Sequence, residues 1–418
     1  MRVRPTGLFL LLFFGSTAWA AEPITVGADD WPWWRGPTRD GHAAPGQEVV
    51  TTWSSTKNVL WKTAIPGRGH GSATVVGDHV YLVTAERKRQ TQSVICLDRM
   101  TGKQLWKTDV HKGGFTGRVN QKASMANSTP ACDGQRVFVN FYNGNAAWTT
   151  ALSRDGTKLW QTKITDYRIH QAYASSPNVY KDMLLVSADN KRAGALAALD
   201  RVSGRIVWKI KRDSQPNYPS PVVLTAAGRE QLIMIGTERV SSFDPNTGER
   251  IWEVKGATKE CVTSTVTNGE LVYSSGGWPK NHVVAHRADG TGEVVWSNSV
   301  RIYVPSMIIH KGHLFAINGA GIAYCWDAAT GKEAWKARLS KAGFSASPVL
   351  VGDRLYAIDE AGTAHVLEAD PKQFKVIATN RMGDDAFATP TICGGRIYLR
   401  VGHDQGGRQE MLYCIGTR

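Results

Sequence analysis

The sequence lacks the patterns that define several common classes of enzyme. It contains no HExxH metalloprotease motif, no GxSxG nucleophile elbow and no glycine-rich phosphate loop. It has no CxxC motif and no His/Cys cluster with metal-ligand spacing, which disfavours a zinc site. Beyond the N-terminus, no apolar run reaches the roughly 18 residues that a membrane span requires. Hydrolase chemistry, structural zinc and a transmembrane helix are therefore not expected.

The composition is that of a folded, turn-rich protein. Charged residues make up 21% of the 418 residues and hydrophobic residues 42%, which excludes wholesale disorder. Glycine is abundant at 42 residues, with 17 prolines and no collagen-like period, so many tight turns are expected. The formal net charge of +14 suits an acidic polymer or membrane surface as a partner, although a generally solvated basic surface explains it equally well.

The N-terminus has the pattern of a secretory signal peptide. Arg2 and Arg4 precede an apolar stretch over residues 8–14, and small residues then lead to Ala18-Trp19-Ala20. This pattern predicts cleavage after Ala20, a signal peptide over residues 1–20, and a periplasmic or secreted mature protein. No cysteine lies near the cleavage point, so lipid attachment there is not expected.

An internal repeat determines the predicted architecture. The clearest copies carry Asp, Thr or Ser, Gly and Trp at fixed offsets, and they cover residues 96–106, 198–208, 242–252 and 325–335. Looser copies end at Trp160 and Trp296, and another has Val376 at the tryptophan position. The Asp-x-x-Thr-Gly element is a turn between β-prone runs, and two more such runs precede it. Four short strands in roughly 44 residues are typical of a β-propeller blade.

The residues that open each unit give the number of blades. The first strand of each unit opens with a hydroxyl residue, and these are Ser72, Thr129, Ser176, Ser220, Ser264, Ser306, Ser347 and Thr389. The eighth unit ends after three strands, and residues 58–63 supply the pattern of the missing fourth. We therefore predict an all-β fold, an eight-bladed β-propeller of four-stranded antiparallel blades over residues 55–418, closed by the N-terminal strand.

The periodic tryptophans are predicted to be structural. An indole at a fixed position of the outer strand can span the gap to the next blade and bury roughly 200 Å². This set comprises Trp61, Trp106, Trp160, Trp208, Trp252, Trp296 and Trp335.

The six cysteines allow two interpretations. Cys96, Cys325 and Cys414 occupy a repeat position that other blades fill with alanine or serine, which suits buried free thiols in separate blades. Cys393 and Cys414 share a blade, so a disulfide between them is the alternative.

The repeat resembles the tryptophan-docked propellers of the PQQ (pyrroloquinoline quinone) repeat superfamily over about residues 55–418. One branch of that superfamily consists of quinoprotein dehydrogenases, which oxidise alcohols with PQQ and calcium. Another branch is the BamB type, a non-catalytic scaffold of the outer-membrane barrel-assembly machine. Residues 30–37 also resemble the leader of many exported PQQ-like repeat proteins, so residues 21–54 are taken as an N-terminal leader.

The resemblance implies a scaffold more readily than an enzyme. The dehydrogenases share a disulfide between adjacent cysteines, which this chain lacks, and most connections here leave little chain to enclose a cofactor. BamB carries a lipid on an N-terminal cysteine, which this chain also lacks. We expect a BamB-like scaffold with no cofactor and no catalytic or metal-binding residue, a monomer within a larger assembly that binds a protein or acidic envelope polymer and no nucleic acid. The alternative is a PQQ-dependent dehydrogenase that uses PQQ with calcium.

A binding face is predicted on the longer loops. In a propeller, the connections between second and third strands and between successive blades share one face. The predicted binding residues there are Arg87, Lys88, Arg89, Arg118, Lys191, Arg192, Trp278, His403 and Asp404. Lys112, Lys122, Arg168 and His170 add to its basic character, and ordinary solvated loop charge is the alternative. The aromatic leader segment 31–35 is expected to pack on the propeller, with partner docking as the alternative.

Overall fold

The computed structural model describes residues 23–404 and 406–417, and this part of the chain folds into eight four-stranded antiparallel sheets. The predicted signal peptide, residues 1–20, lies outside the described residues. None of the described residues forms a helix long and apolar enough to cross a membrane. The prediction of an all-β, eight-bladed propeller is confirmed.

The strands are numbered in chain order, and strand β1 spans Val59–Ile65. Blade 1 contains β2 (Thr74–Val76), β3 (His79–Glu86), β4 (Thr91–Asp98) and β5 (Gln104–Lys112). Blade 2 contains β6 (Ala131–Cys132), β7 (Arg136–Asn143), β8 (Ala146–Ser153) and β9 (Lys158–Asp166). Blade 3 contains β10 (Asn178–Tyr180), β11 (Met183–Ser187), β12 (Gly194–Asp200) and β13 (Ile206–Arg212). Blade 4 contains β14 (Val222–Ala226), β15 (Arg229–Gly236), β16 (Arg239–Phe243) and β17 (Arg250–Lys255).

The second half of the ring repeats the pattern. Blade 5 contains β18 (Val266–Thr267), β19 (Leu271–Gly276), β20 (His282–Arg287) and β21 (Val294–Asn298). Blade 6 contains β22 (Ile308–His310), β23 (His313–Ile317), β24 (Ile322–Asp327) and β25 (Glu333–Arg338). Blade 7 contains β26 (Val349–Val351), β27 (Arg354–Ile358), β28 (Thr363–Glu368) and β29 (Val376–Arg381). Blade 8 contains β30 (Thr391–Cys393), β31 (Arg396–Asp404) and β32 (Arg408–Ile415) together with β1.

Blade 8 closes the ring as the repeat count predicts. Strand β1 pairs antiparallel with β32, with Trp61 opposite Cys414 and Ile65 opposite Glu410. The first and last strands of the described propeller therefore lie in one sheet, so its two ends are joined by backbone hydrogen bonds.

The outer-strand tryptophans join neighbouring blades. The Trp160 indole Nε1 in blade 2 donates to the Arg201 carbonyl in the turn of blade 3, at 3.3 Å. The Gly204 backbone in that turn lies against the same indole, and a Cβ placed there would come within 2.5 Å of the ring. The other six indoles donate to backbone carbonyls of the next blade in the same way. The pairs are Trp61 with Arg99, Trp106 with Arg154, Trp208 with Pro245, Trp252 with Ala288, Trp296 with Ala328 and Trp335 with Asp370.

The eight hydroxyl residues that open the first strands form a ring around the central channel, and hydrogen bonds join six of the eight neighbouring pairs. The backbone N–H of Thr129 donates to Ser176 Oγ, and the N–H of Ser176 donates to Ser220 Oγ, both at 2.9 Å. Four further links of the same kind join Ser72 to Thr129, Ser264 to Ser306, Ser306 to Ser347 and Ser347 to Thr389. These bonds tie the innermost strands of successive blades to one another.

All six cysteines of the sequence are buried and unpaired in the structure. The alternative of a disulfide between Cys393 and Cys414 is therefore not realised. Burial raises the pKa of the Cys261 thiol to about 11, so this sulfur is protonated at neutral pH. The cysteines thus pack as small core residues.

Candidate functional site: a cavity with one closed end

The two faces of the ring differ. The turn face carries the turns between first and second strands and between third and fourth strands, such as those at Gly77 and Gly204. The loop face carries the connections between second and third strands and between successive blades.

The leader crosses the turn face and covers the channel there. Trp31 pairs with Val75 of β2, and Gly41 and Ala43 exchange backbone hydrogen bonds with Leu350 of β26. Trp31 is 1% exposed, so this part of the leader is core rather than free surface. The leader therefore binds the inner strands of blades 1 and 7.

Two leader arginines anchor this crossing. The Arg39 guanidinium donates to Asn178 Oδ1 at 2.7 Å and to the Val179 carbonyl at 2.6 Å, and it lies 4.3 Å from the Trp33 ring centroid. Arg35 is buried and donates to the Met307 carbonyl at 2.6 Å. Burial lowers the pKa of Arg35 to about 10, although the nearby Asp40 offsets part of that effect.

Trp34 closes the channel at its turn-face end. Its indole Nε1 donates to Ser264 Oγ, a member of the hydroxyl ring, at 2.9 Å. Above this floor lies a cavity of about 430 Å³ that opens toward the loop face. The volume lies within the usual range of about 300–1,000 Å³ for small-molecule sites. The connections between blades rise around the channel mouth and supply most of the cavity walls.

The walls of the cavity are rich in aromatic rings. Tyr218, Tyr303, Phe344 and Phe387 line it, each from a different connection between blades. Burial raises the pKa of Tyr303 to about 12, so its hydroxyl is neutral at physiological pH. The aromatic walls provide apolar contact area next to the polar channel.

An ion pair crosses the cavity mouth. Lys122 Nζ, between blades 1 and 2, lies 2.6 Å from Glu360 Oε2, in the β27–β28 connection of blade 7. The Ser345 hydroxyl donates to the other carboxylate oxygen of Glu360 at 2.7 Å. Glu360 is the one carboxylate among the described lining residues, and both of its oxygens are engaged. It is therefore poorly suited to serve as a free base or a metal ligand.

His70 contributes a neutral ring to the cavity wall. It stacks on Phe387 with ring centroids 4.6 Å apart, and it accepts a hydrogen bond from Arg68 Nε at 3.2 Å. Burial, followed by the nearby cations Arg68 and Arg400, lowers the pKa of His70 well below its usual range. The ring is consequently uncharged at neutral pH.

Two amide groups offer unused donors to the cavity. Asn127 Oδ1 accepts from the backbone N–H and hydroxyl of Ser124 at 2.9 and 2.8 Å. Gln171 Oε1 accepts from Asn120 Nδ2 at 2.8 Å. Among the described residues, the NH₂ groups of Asn127 and Gln171 have no hydrogen-bond partner in the protein, and both side chains line the cavity.

The nine predicted binding residues lie around the cavity but do not form it. Arg87, Lys88 and Arg89 are at the tip of the β3–β4 connection, and Lys191 and Arg192 are in the β11–β12 connection. The remaining four, in other loop-face segments, are Arg118, Trp278, His403 and Asp404. None of the nine is among the lining residues of the described cavity.

These nine residues form the outer rim of the loop face. The charges of the outer rim are only partly neutralised. Arg192 lies 3.2 Å from Asp166, and Arg89 lies 3.6 Å from Glu86. Arg87, Lys88 and Lys191 are exposed and form no ion pair with any described residue. The rim thus keeps exposed positive charge in blades 1 and 3.

The outer rim also contains one exposed aromatic ring and two residues with hydrogen-bond partners nearby. Trp278 is 50% exposed, the largest exposed ring on the loop face of the described chain. His403 Nε2 lies 2.9 Å from the Tyr413 hydroxyl, and the Asp404 backbone N–H donates to Asp384 Oδ2 at 3.0 Å. These two contacts hold the loop-face end of β31.

The fold and this cavity define a PQQ-like repeat propeller with one open end. A family model described as outer membrane protein assembly factor BamB matches residues 15–175, 90–337 and 279–375, so the chain belongs to that family. BamB of Yersinia pestis is 22% identical over 379 residues, which covers 77% of this chain and 91% of that protein.

A second kind of relative is also present. Polyvinylalcohol dehydrogenase of a Pseudomonas species is 25% identical over 288 residues, which covers 65% of this chain and 40% of that protein. The chain thus matches 40% of this dehydrogenase and 91% of the Yersinia protein.

Solved structures of both kinds share the fold. BamB from Moraxella catarrhalis superposes with a TM-score of 0.59 at 14% identity, covering 85% of this chain and 96% of that one. Quinohemoprotein alcohol dehydrogenase from Comamonas testosteroni superposes with a TM-score of 0.68 at 12% identity, covering 93% of this chain and 81% of that one. At these identities the similarity establishes the propeller architecture and not the activity.

Proposed function

We propose that the protein is an exported, non-catalytic scaffold of the BamB type, which binds envelope proteins through the outer rim of its loop face. The observation that carries this proposal is the family match over most of the propeller, together with near full-length coverage of a BamB relative. The predicted signal peptide supports export, and exposed cations in blades 1 and 3 favour an acidic partner surface.

The donor set of the cavity supports a role without PQQ. The quinone carries three carboxylates, whereas the lining cations are Arg301 and Lys122, and Lys122 is already paired with Glu360. The described residues hold no group of three or more His, Cys, Asp or Glu that could bind a metal ion. The cavity lining includes no cysteine, so the adjacent-cysteine feature of the dehydrogenases has no counterpart there. These residues do not fit PQQ with calcium.

An envelope cross-linking experiment tests the scaffold role. The parent protein is compared with a variant in which Arg87, Lys88, Arg89, Lys191 and Arg192 are replaced by alanine. We expect discrete cross-linked envelope proteins with the parent and at least a five-fold loss of them with the variant. The matched control replaces five exposed basic residues of the turn face by alanine: Lys57, Lys103, Arg205, Lys332 and Lys372.

Two results would contradict the proposal. One is an unchanged set of partners after the rim substitutions, and the other is an equal loss after the turn-face substitutions. Circular dichroism of both variants shows whether the propeller is intact, so that a lost partner can be assigned to the face that was changed.

A further inference from the structure

We propose that the cavity on the loop face is a saccharide-binding site, suited to one or two sugar rings with at most one carboxylate. This inference rests on the cavity lining and is independent of the scaffold role assigned to the outer rim. It is carried by three features of the described residues: ring surfaces, unused hydrogen-bond donors and a small net charge.

The ring surfaces lie at the floor and on one wall. Trp34 is half-buried, and no other aromatic ring or cation stacks on its indole among the described residues. Tyr303 is also half-buried and has the Arg301 guanidinium 4.9 Å from its ring centroid. The C–H faces of a pyranose ring are apolar and pack on aromatic rings, while its hydroxyls point outward in the plane. A floor and a wall of this kind fit a flat, hydroxyl-edged ligand.

The unused donors match the edge of such a ligand. Asn127 and Gln171 line the cavity, and their carbonyl oxygens accept from Ser124 and Asn120, which leaves each NH₂ group without a partner among the described residues. Ser176 and Ser220 of the hydroxyl ring accept from backbone N–H groups, so each keeps its own O–H to donate into the channel. Sugar hydroxyls can accept from these donors and also donate to one another.

The net charge of the lining selects against polyanions. Arg301 is cationic, Lys122 and Glu360 neutralise each other at 2.6 Å, and His70 is neutral. A nucleotide or a tricarboxylate quinone would place two or more negative charges against a single uncompensated cation. A neutral sugar, or one with a single acidic group near Arg301, meets no such cost.

Titration of the full chain with disaccharides tests the site. The probes are maltose, cellobiose, N,N′-diacetylchitobiose and digalacturonate, and binding is followed by saturation-transfer NMR and by tryptophan fluorescence, to which Trp34 contributes. We expect saturable binding of at least one probe at one site per chain. Comparison of the Kd of digalacturonate with that of a neutral probe shows whether Arg301 pairs with an acidic group.

Isosteric variants assign the binding to the cavity. Gln171→Glu and Asn127→Asp keep the fixed carbonyl-type acceptor and remove the NH₂ donor, and each should raise the Kd of a neutral probe at least five-fold. Gln135→Glu makes the same chemical change at an exposed position on the turn face and should leave the Kd within two-fold.

Three results would overturn the inference. They are the absence of saturable binding of every probe up to 20 mM, an equal Kd for the cavity variants and the parent, and an equal weakening by Gln135→Glu. Retention of the parent's thermal unfolding midpoint by each variant shows that a lost signal reflects the site. The rim cross-linking result is separate, so either proposal can fail while the other holds.

Discussion

At the scale of single residues, each docking indole depends on a glycine in the turn of the next blade. Gly204 has a φ of +73°, and its missing side chain leaves the space that the Trp160 ring occupies. Its positive φ and the short distance to the ring therefore both favour glycine at this position. The repeated Thr-Gly signal reflects this dual requirement.

Gly204→Ala should destabilise the protein by about 2–4 kcal/mol, because backbone strain adds to displacement of the Trp160 indole. Gly228→Ala is the matched control, since Gly228 has a φ of +75° and open space where a Cβ would lie. It should cost only about 1 kcal/mol. Urea unfolding of both variants gives the comparison, and equal losses would show that the indole contact contributes nothing.

The stability of the protein should also fall at mildly acidic pH. His111 packs between Phe141 and Trp148, with ring centroids 6.0 and 6.2 Å away. Burial, followed by the charge of Lys158, lowers the pKa of His111 to about 4. Because an unfolded histidine titrates near 6.5, the unfolded chain takes up the proton first, and stability falls between about pH 6.5 and 4.

The predicted contribution of His111 is about 1–2 kcal/mol of unfolding free energy lost between pH 7 and pH 5. His111→Asn should remove that part of the pH dependence while leaving the part due to other groups such as His70. Urea unfolding at the two pH values measures the difference. An identical pH dependence in parent and variant would contradict the assignment.

At the scale of strands, a buried charge network holds blade 8 against blade 1. Arg400 of β31 donates to Glu410 of β32 and to the carbonyls of Gly71 and Val83, the latter two at 3.1 and 2.9 Å. Glu410, 1% exposed, also accepts from Arg408 Nη1 at 2.9 Å. The seam where the ring closes is thus held by ionic contacts as well as by the β1–β32 pairing.

Arg400→Met should cost about 3–5 kcal/mol, because it leaves the buried Glu410 carboxylate short of a counter-charge. The double variant Arg400→Met with Glu410→Gln should recover part of this loss. Removing the exposed Arg287–Glu293 pair by Arg287→Met should cost less than about 1 kcal/mol. If Arg400→Met and Arg287→Met had the same effect on the urea midpoint, the seam would not be a stabilising element.

The strand pattern could be predicted from the sequence, whereas the cavity could not. Turn signals, alternating apolar runs and the Trp position are local and recur in each blade, so the blade count and the closing role of β1 followed from them. Lys122 and Glu360 meet only because the ring brings together residues 238 positions apart, and their loops have no repeating pattern. Trp34 likewise reaches Ser264 across 230 positions, and only its aromatic neighbours hinted that the leader is buried.

At the scale of the whole molecule, the leader makes the propeller channel asymmetric. Its contacts with blades on both sides of the channel close the turn face, and Trp34 leaves one opening on the loop face. The outer rim and the inner cavity therefore share the same face but use different residues. A partner on the rim and a small ligand in the cavity can be tested separately.

Titration with PQQ and calcium is the measurement that most directly tests the proposal that this protein is a non-catalytic scaffold. We predict no saturable one-to-one uptake of the quinone by its absorbance, and no dye-linked alcohol oxidation above the rate without protein. Stoichiometric PQQ uptake accompanied by calcium-dependent alcohol oxidation would contradict the account, and it would make the propeller a dehydrogenase whose cavity is its active site.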